Sequence, residues 1–348
     1  MRYLIEFYLN YRDLGDRSQE FLQAELARTA ELAAKGMVIG EWRRADARGA
    51  VAVWDCASHD VLNETPRGLP IWRSHDLIHW DRLGTVFPRS QPFPSWGPTE
   101  VPGTRGVWAP DISFFAGKYH LYYAVSTFGK NHSAIGLATN VTLDPAAPGY
   151  HWVDDGPVFE SKATDDFNAI DPNLVMDDKG VPWLVFGSFW GGIKARRLEA
   201  ATGKLDPADT TLYSLAARPD TKTKAIEGAF VIKHDSYWYL FVSFDFCCRG
   251  VNSNYRVMVG RSRELLGPYI DKNGTAMMAG GGTQILAGDG KRIRGPGHCA
   301  VVHDGDKWWM SNHFYDADDN GASKLQIHPL TWDDAGWPVV GAPLAPAK

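Results

Sequence analysis

From about residue 68 onward the chain alternates apolar and polar residues in short runs punctuated by Gly, Pro and Asp. Residues 119–125, 182–187, 237–242 and 307–310 show this pattern most clearly, and a period of two predicts strands joined by turns. Helical periodicity is almost absent there. The first 66 residues read differently. Residues 2–9 alternate as a strand, and residues 18–35 (SQEFLQAELARTAELAAK) set Phe21, Leu22, Leu26, Ala30 and Ala33 on one helical face, with Gly36 as the C-cap. Residues 37–44 and 49–55 then predict a hairpin. Strand, helix, strand, strand is an α+β opening. The break at NETPRG (63–68) divides the chain into a segment of residues 1–66 and an all-β unit of residues 67–348.

Within the all-β unit one arrangement recurs: a short polar motif, a β-rich run, a Gly-containing or polar turn, and an aromatic strand. The four copies are WAPDISFFAGKYHLYYAVS from Trp108, AIDPNLVMDDKGVPWLVFGS from Ala169, IEGAFVIKHDSYWYLFVS from Ile226 and GPGHCAVVHDGDKWWMSNH from Gly295. Their leading polar residues, Asp111, Asp171, Glu227 and His298, are 60, 56 and 71 residues apart. A period of this size, with several strands per repeat, predicts a β-propeller in which each blade delivers one such residue to the central axis. Two carboxylates are the minimum for hydrolysing a glycosidic bond, one as proton donor and one to act on water or sugar. Glu227 stands in an apolar setting, AIEGAF, where desolvation raises a carboxyl pKa and suits it to the acid role. Asp171 precedes Pro172 on the blade before, where it can hold that acid's proton and orientation. His298 has two readings, a packed core histidine or a group near an axial ion.

Composition narrows the class. With 44% hydrophobic residues, 22% charged residues and a formal charge of -5, this is an ordinary globular composition without the basic footprint of a nucleic-acid binder. No apolar stretch approaches the ~20 residues of a membrane span. MRYLIEFYLNYRD has neither the charged head nor the cleavage site of a secretory leader. Cys56, Cys247, Cys248 and Cys299 show no metal-finger spacing; a disulfide framework is not expected, and adjacent Cys247 and Cys248 are expected as small buried or cleft-wall groups rather than as nucleophiles or a bonded pair. The 14 Trp residues exceed what a core needs, which suits sugar-stacking platforms as well as blade packing. Trp190, in the loop-like SFWGG run, is expected in a cleft; for Trp108 both readings stand.

Residues from about 68 to 348 resemble the arabinan-degrading members of glycoside hydrolase family 43, the endo-1,5-α-L-arabinanases. The strings GLPIWRSHDLIHW, VWAPDI, STFGKNHSAIGLATN, NAIDPN, FGSFWGGI, AIEGAF, FDFCCRGVNSNY, VGRSRELLGPY, GGGTQIL and GPGHCAVV carry the resemblance. It implies a five-bladed propeller and inverting hydrolysis of α-1,5-linked arabinofuranose in arabinan or arabino-oligosaccharides. It makes Glu227 the general acid and Asp171 the residue that tunes it. Gly129, Asn168, Ala169, Ile170, Ser188, Phe189, Trp190 and Trp108 become substrate contacts. His298 becomes the histidine that helps hold a central calcium ion, largely through water because Ca²⁺ prefers oxygen ligands. The family is typically exported, and the chain is expected to be monomeric.

The N-terminal segment has a resemblance of its own. MRYLIEF, ELAAKGMVIGEWR and AVAVWDCASHDVLNETPRGLPIW look like a muconolactone isomerase, a small ferredoxin-like α+β domain. Both resemblances are incomplete at the same junction, so the foreign segment replaces part of blade one, as in a fusion. The general base that the arabinanases carry in a His-Asp-Pro motif on that blade has no counterpart; His59-Asp60 is a partial match, and Asp55 and Asp60 are candidates by position alone. The expectation is therefore impaired hydrolysis, with a catalytically silent arabinan-binding propeller or a residual isomerase as alternatives.

Overall fold

The computed structural model describes residues 50–52, 68–88, 91, 93–104 and 106–344. The expected strand at 2–9, the helix at 18–35 and the strand at 37–44 lie outside these residues, and so does the ferredoxin-like arrangement they were to form. Asp55, His59 and Asp60 lie outside them too.

The described residues are all-β apart from one short helix, α1 (Gly97–Glu100), and brief 3₁₀ turns. Four antiparallel sheets of four strands follow one another along the chain. The first contains β4 (Val107–Phe115), β5 (Lys118–Val125), β6 (Ser133–Asn140) and β7 (Val153–Ser161). The second contains β8 (Asn173–Met176), β9 (Pro182–Phe186), β10 (Ile193–Arg197) and β11 (Tyr213–Ala216). The third contains β12 (Ile226–His234), β13 (Tyr237–Phe244), β14 (Arg256–Ser262) and β15 (Thr283–Ala287). The fourth contains β16 (Ile293–Asp304), β17 (Lys307–Asp316), β18 (Ala322–Trp332) and β19 (Pro338–Val340). Each is a meander in sequence order, and together they form a propeller-like arrangement of four blades. A three-stranded sheet precedes them: β1 (Ala50–Ala52), β2 (Pro70–Ser74) and β3 (Trp80–Thr85). Three residues of the expected hairpin at 37–55 thus pair with the all-β unit, Ala50 opposite Ser74 and Ala52 opposite Trp72.

The sequence builds this by making the second strand of the first three meanders largely apolar on both faces. KYHLYYAV, PWLVF and YWYLFVSF are buried almost throughout, as strands sandwiched between two neighbouring sheets must be. The core is accordingly divided into layers, each between consecutive sheets. Ile71 and Phe87 pack with Leu121 and Tyr123; Tyr122 and Leu137 with Leu184 and Phe186; Val185 and Ala195 with Leu240 and Val242; Phe241 and Val259 with Val301 and Met310. Burying such side chains contributes about 1.5–3 kcal/mol each before chain entropy is charged against it.

The inner strands share a backbone device that the spacing of polar residues does not show. A residue with left-handed φ lies in or just ahead of each one: Ala109 (41°), Asp171 (57°), Gly228 (59°) and His298 (49°). The ladder shifts register across this point, between Trp108 and Asp111, between Glu227 and Phe230, and between Gly297 and Ala300. These are bulges, which turn side chains out of the pleat. Aligned on the bulge, Asp111 corresponds to Asn173, Phe230 and Ala300, while Asp171 corresponds to His298. The four leading polar residues are therefore not one repeated position.

Their backbone bonds show the difference. The Leu174 N–H donates to Asp111 Oδ2 at 2.8 Å, and one sheet further on the Val231 N–H donates to Asn173 Oδ1 at 2.9 Å. The Asn173 side chain also bonds Asp111, so a hydrogen-bonded chain crosses three sheets. Asn173→Ala leaves the buried Val231 N–H without its acceptor. The expected cost is about 1–3 kcal/mol, seen as a lower midpoint in urea unfolding, whereas Asp111→Asn, which keeps an acceptor oxygen, is expected to cost less.

Candidate active site

The bulges bring side chains from all four blades to one cavity of about 520 Å³. Asp111, Asp171, Glu227 and His298 all line it. Glu227 immediately precedes the left-handed Gly228, and Asp171 is itself the left-handed residue of its strand. The Gly228 N–H donates to Asp171 Oδ2 at 3.1 Å, which fixes the aspartate directly beneath the glutamate's backbone. A Cβ at position 228 would stand 3.1 Å from the His298 ring, so glycine also allows the third and fourth blades to approach.

Glu227 is oriented by a loop from the preceding blade. Ser188 Oγ donates to Glu227 Oε2 at 2.5 Å. That serine is held in place because the Phe189 N–H donates to the Ile226 carbonyl at 2.8 Å, tying the loop to the start of β12. The chain then turns through left-handed Phe189 and Trp190 to Gly191, where a Cβ would lie 2.5 Å from the Asp166 carbonyl oxygen. The FWGG run is thus a tight turn that places Ser188 on the acid and Trp190 in the cavity wall.

Electrostatics separate the roles. Glu227 keeps part of its surface open to the cavity yet lies deep in the protein, and burial, with the Asp171 charge beside it, pushes its carboxyl up to about 7. The Ser188 hydrogen bond pulls the other way. Asp171 is also raised by burial, opposed by the Gly228 N–H. The Asp171 charge therefore favours the protonated form of Glu227 near neutral pH. Burial holds Asp111 up at about 6 against its bonds from Leu174 and Asn173. Burial pushes the His298 imidazole down to about 4, leaving it neutral, and its backbone N–H donates to Ser243 Oγ at 2.7 Å.

Of the residues expected at the site from sequence, Gly129, Asn168, Ile170, Ser188, Phe189, Trp190 and Trp108 line the cavity. Trp108 also packs with Ala109, Ala124 and Ile170, so it serves the blade and the cleft at once. Ala169 does not line it. Its side chain is fully buried with Phe167, Leu174 and Phe186, and its N–H donates to Ser161 Oγ at 2.8 Å, because the residue before the bulge pair points into the blade. Asn168 Oδ1 is buried, closed to solvent and without a hydrogen-bond partner, so a ligand hydroxyl would reach it only after the side chain moves.

The structure also corrects the reading of the cysteines. Cys247 and Cys248 form a disulfide, and both line the cavity beside Phe246. Adjacency argued against the bond in ordinary strand or helix geometry, but Cys248 adopts a left-handed φ of 63° that brings the two sulfurs together. The FDFCCRG string holds the signal, since no other stretch supplies two sulfurs to the cleft. Among the described residues no group of three or more His, Cys, Asp or Glu side chains is arranged to hold a metal. His298 offers a single nitrogen, a poor match to an ion that takes 6–8 oxygens.

A propeller-like array of sheets with two buried carboxyls raised side by side in an aromatic cleft carries the paired-carboxyl chemistry of a glycoside hydrolase. Residues 58–338 match the glycosyl hydrolases family 43, and the chain belongs to that family. It is 44% identical over 273 residues to the extracellular endo-α-(1→5)-L-arabinanase 1 of Bacillus subtilis, a match spanning 78% of this chain and 80% of that one. It is 41% identical over 289 residues to an extracellular exo-α-(1→5)-L-arabinofuranosidase of Cellvibrio japonicus, covering 80% and 82%. The α-L-arabinanase of Cellvibrio cellulosa, solved with arabinohexaose, superimposes with a TM-score of 0.76 at 37% identity, over 86% of this chain and 93% of that one.

Because the Asp171 charge helps to keep Glu227 protonated, Asp171→Asn should lower the Glu227 pKa. A general acid loses activity as pH rises through its pKa, so the alkaline limb of the pH–rate profile should move to lower pH. A limb unmoved by this substitution would show that another group sets it.

Proposed function

We propose that the chain hydrolyses α-1,5-linked arabinofuranose in arabinan by the inverting route, with Glu227 as general acid and Asp171 as the residue that tunes and orients it. The observation that carries this is the Ser188–Glu227–Asp171 arrangement at the floor of the cleft. Ser188 occupies Oε2 of Glu227, which leaves Oε1 to carry the proton to the leaving oxygen. Trp190 and the exposed Phe128 offer aromatic surface to the sugar rings, with the buried Trp108 lining the cleft beside them. The β1–β3 sheet, packed on the first four-stranded blade, is read as the incomplete first blade of five.

Inversion also requires a base to activate water about 6.5–9.5 Å across from the acid. No His-Asp-Pro motif stands ahead of Gly68 to supply it. The chain is therefore expected to bind arabinan and to turn it over slowly, which keeps a silent binding propeller as the second reading. Relatives of both endo and exo type leave the mode of attack to the shape of the cleft ends. The extracellular names of these relatives and a disulfide in the cleft favour an oxidising compartment.

Glu227→Gln should cut hydrolysis of linear arabinan by at least about 10²-fold, with a smaller loss on aryl arabinosides whose leaving groups need little protonation. Equal arabinan activity in the variant and the parent would sink the acid assignment. Azide or formate added to the parent should raise its turnover if the base is missing; full speed without them, roughly 1–10³ per second, would show that the chain supplies its own.

Calcium on the axis is proposed on the resemblance alone, held through water with His298 as its one protein nitrogen. A chelator should then lower the Tm of the parent but not of His298→Ala. An unchanged parent Tm would remove the ion from the account.

A further inference from the structure

The Cys247–Cys248 disulfide stands where an ordinary structural crosslink would not. It joins neighbours in sequence, so it closes no loop and ties no two elements together. Its loop is braced instead by other bonds. The Cys248 N–H donates to the hydroxyl of fully buried Tyr315, the Arg249 N–H to Ser253 Oγ at 3.0 Å, and the Phe246 N–H to Asn254 Oδ1 at 3.1 Å. The Arg249 guanidinium lies over the Phe246 ring at 3.8 Å. These contacts aim the sulfurs at the cavity, where Cys247 Sγ lies 3.9 Å from Glu227 Oε1, the oxygen left open by Ser188. A disulfide has no S–H to donate and presents a polarizable, apolar surface. Both cysteines are half-buried and open to the cleft, whereas Cys299 is a buried free thiol pushed up to about 12 by burial, too weak a nucleophile to exchange with them.

We propose that the Cys247–Cys248 disulfide is a substrate-contacting wall of the cleft, seating the sugar ring beside Glu227, and that its reduction by a dithiol weakens substrate binding. This rests on the arabinan reading above. In the reduction a thiolate of the dithiol attacks one cysteine sulfur and the S–S bond breaks. The departing thiolate takes up a proton. The dithiol's second thiolate then attacks the mixed disulfide, so the protein gains two thiols and the reductant becomes a cyclic disulfide. The freed side chains rotate independently, the rigid apolar face is lost, and two weak S–H donors turn toward the Glu227 carboxyl.

The test is calorimetric titration of linear arabinohexaose into full-length Glu227→Gln, which prevents turnover. The protein is used as isolated, after dithiothreitol, and after reoxidation. Alkylation under denaturing conditions, read cysteine by cysteine with Cys299 as the free-thiol control, should leave Cys247 and Cys248 unlabelled before reduction and label both after it. Reduction should weaken binding about tenfold, and reoxidation should restore it. Cys247→Ala with Cys248→Ala in the same background should bind weakly and ignore dithiothreitol; if that variant fails to fold, the reduction–reoxidation cycle still decides. A Kd unchanged by reduction, with or without a fall in Tm, overturns the proposal and leaves the arabinan reading standing. Labelling of Cys247 or Cys248 before reduction also overturns it. No binding in the oxidised state overturns both.

Discussion

In or just ahead of each inner strand a left-handed residue turns the next side chains out of the sheet. Ala109, Asp171, Gly228 and His298 do this at equivalent places in successive blades. Without that turn, the period-two geometry of a strand would send Asp171 and Glu227 into blade packing or along the sheet, not to a shared cavity. The turn also exposes backbone N–H groups at the ring's centre, and these must find acceptors. Asp111, Asn173, Asp171 and Ser243 supply them from the preceding blade. The geometry of the cleft and blade-to-blade cohesion are thus consequences of one backbone deviation.

The strength of Glu227 as an acid follows from where this places it. Burial raises its carboxyl, and Asp171, fixed by Gly228, adds a like charge that the low-dielectric setting does not screen. The serine at 188 limits the rise through its hydrogen bond to Oε2. The three residues come from strands and loops of two adjacent blades, so their separation is set by blade packing. Changes in the layer where Val185 and Ala195 meet Leu240 and Val242 would reach the site through that separation.

Much of this was legible in the residues. The aromatic strand of each repeat announced itself by apolar content and flanking turns, and the WAPD, AIDPN, AIEGAF and GPGHC strings marked the inner strands. Their register was not legible, because Ala109 and His298 occupy left-handed conformations that nothing in their residue type signals. Spacing alone therefore equated Asp111 with Asp171, whereas the bulge equates it with Asn173. Ala169 was drawn toward the cleft by its neighbours Asn168 and Ile170, although its own side chain fills the blade. The pairing of Cys247 with Cys248 depended on another left-handed residue, Cys248 itself.

The raised carboxyls at the axis also bear on how the fold withstands solution conditions. Glu227 and Asp171 bind protons more tightly in the folded chain than in an unfolded one. Their contribution to stability is therefore full below the ordinary carboxyl range and is lost as pH rises through their elevated pKa values. At these two carboxyls mild acid favours the folded chain and alkali works against it, while the neighbouring His298, held neutral by burial, pulls the opposite way as pH falls below the ordinary imidazole range.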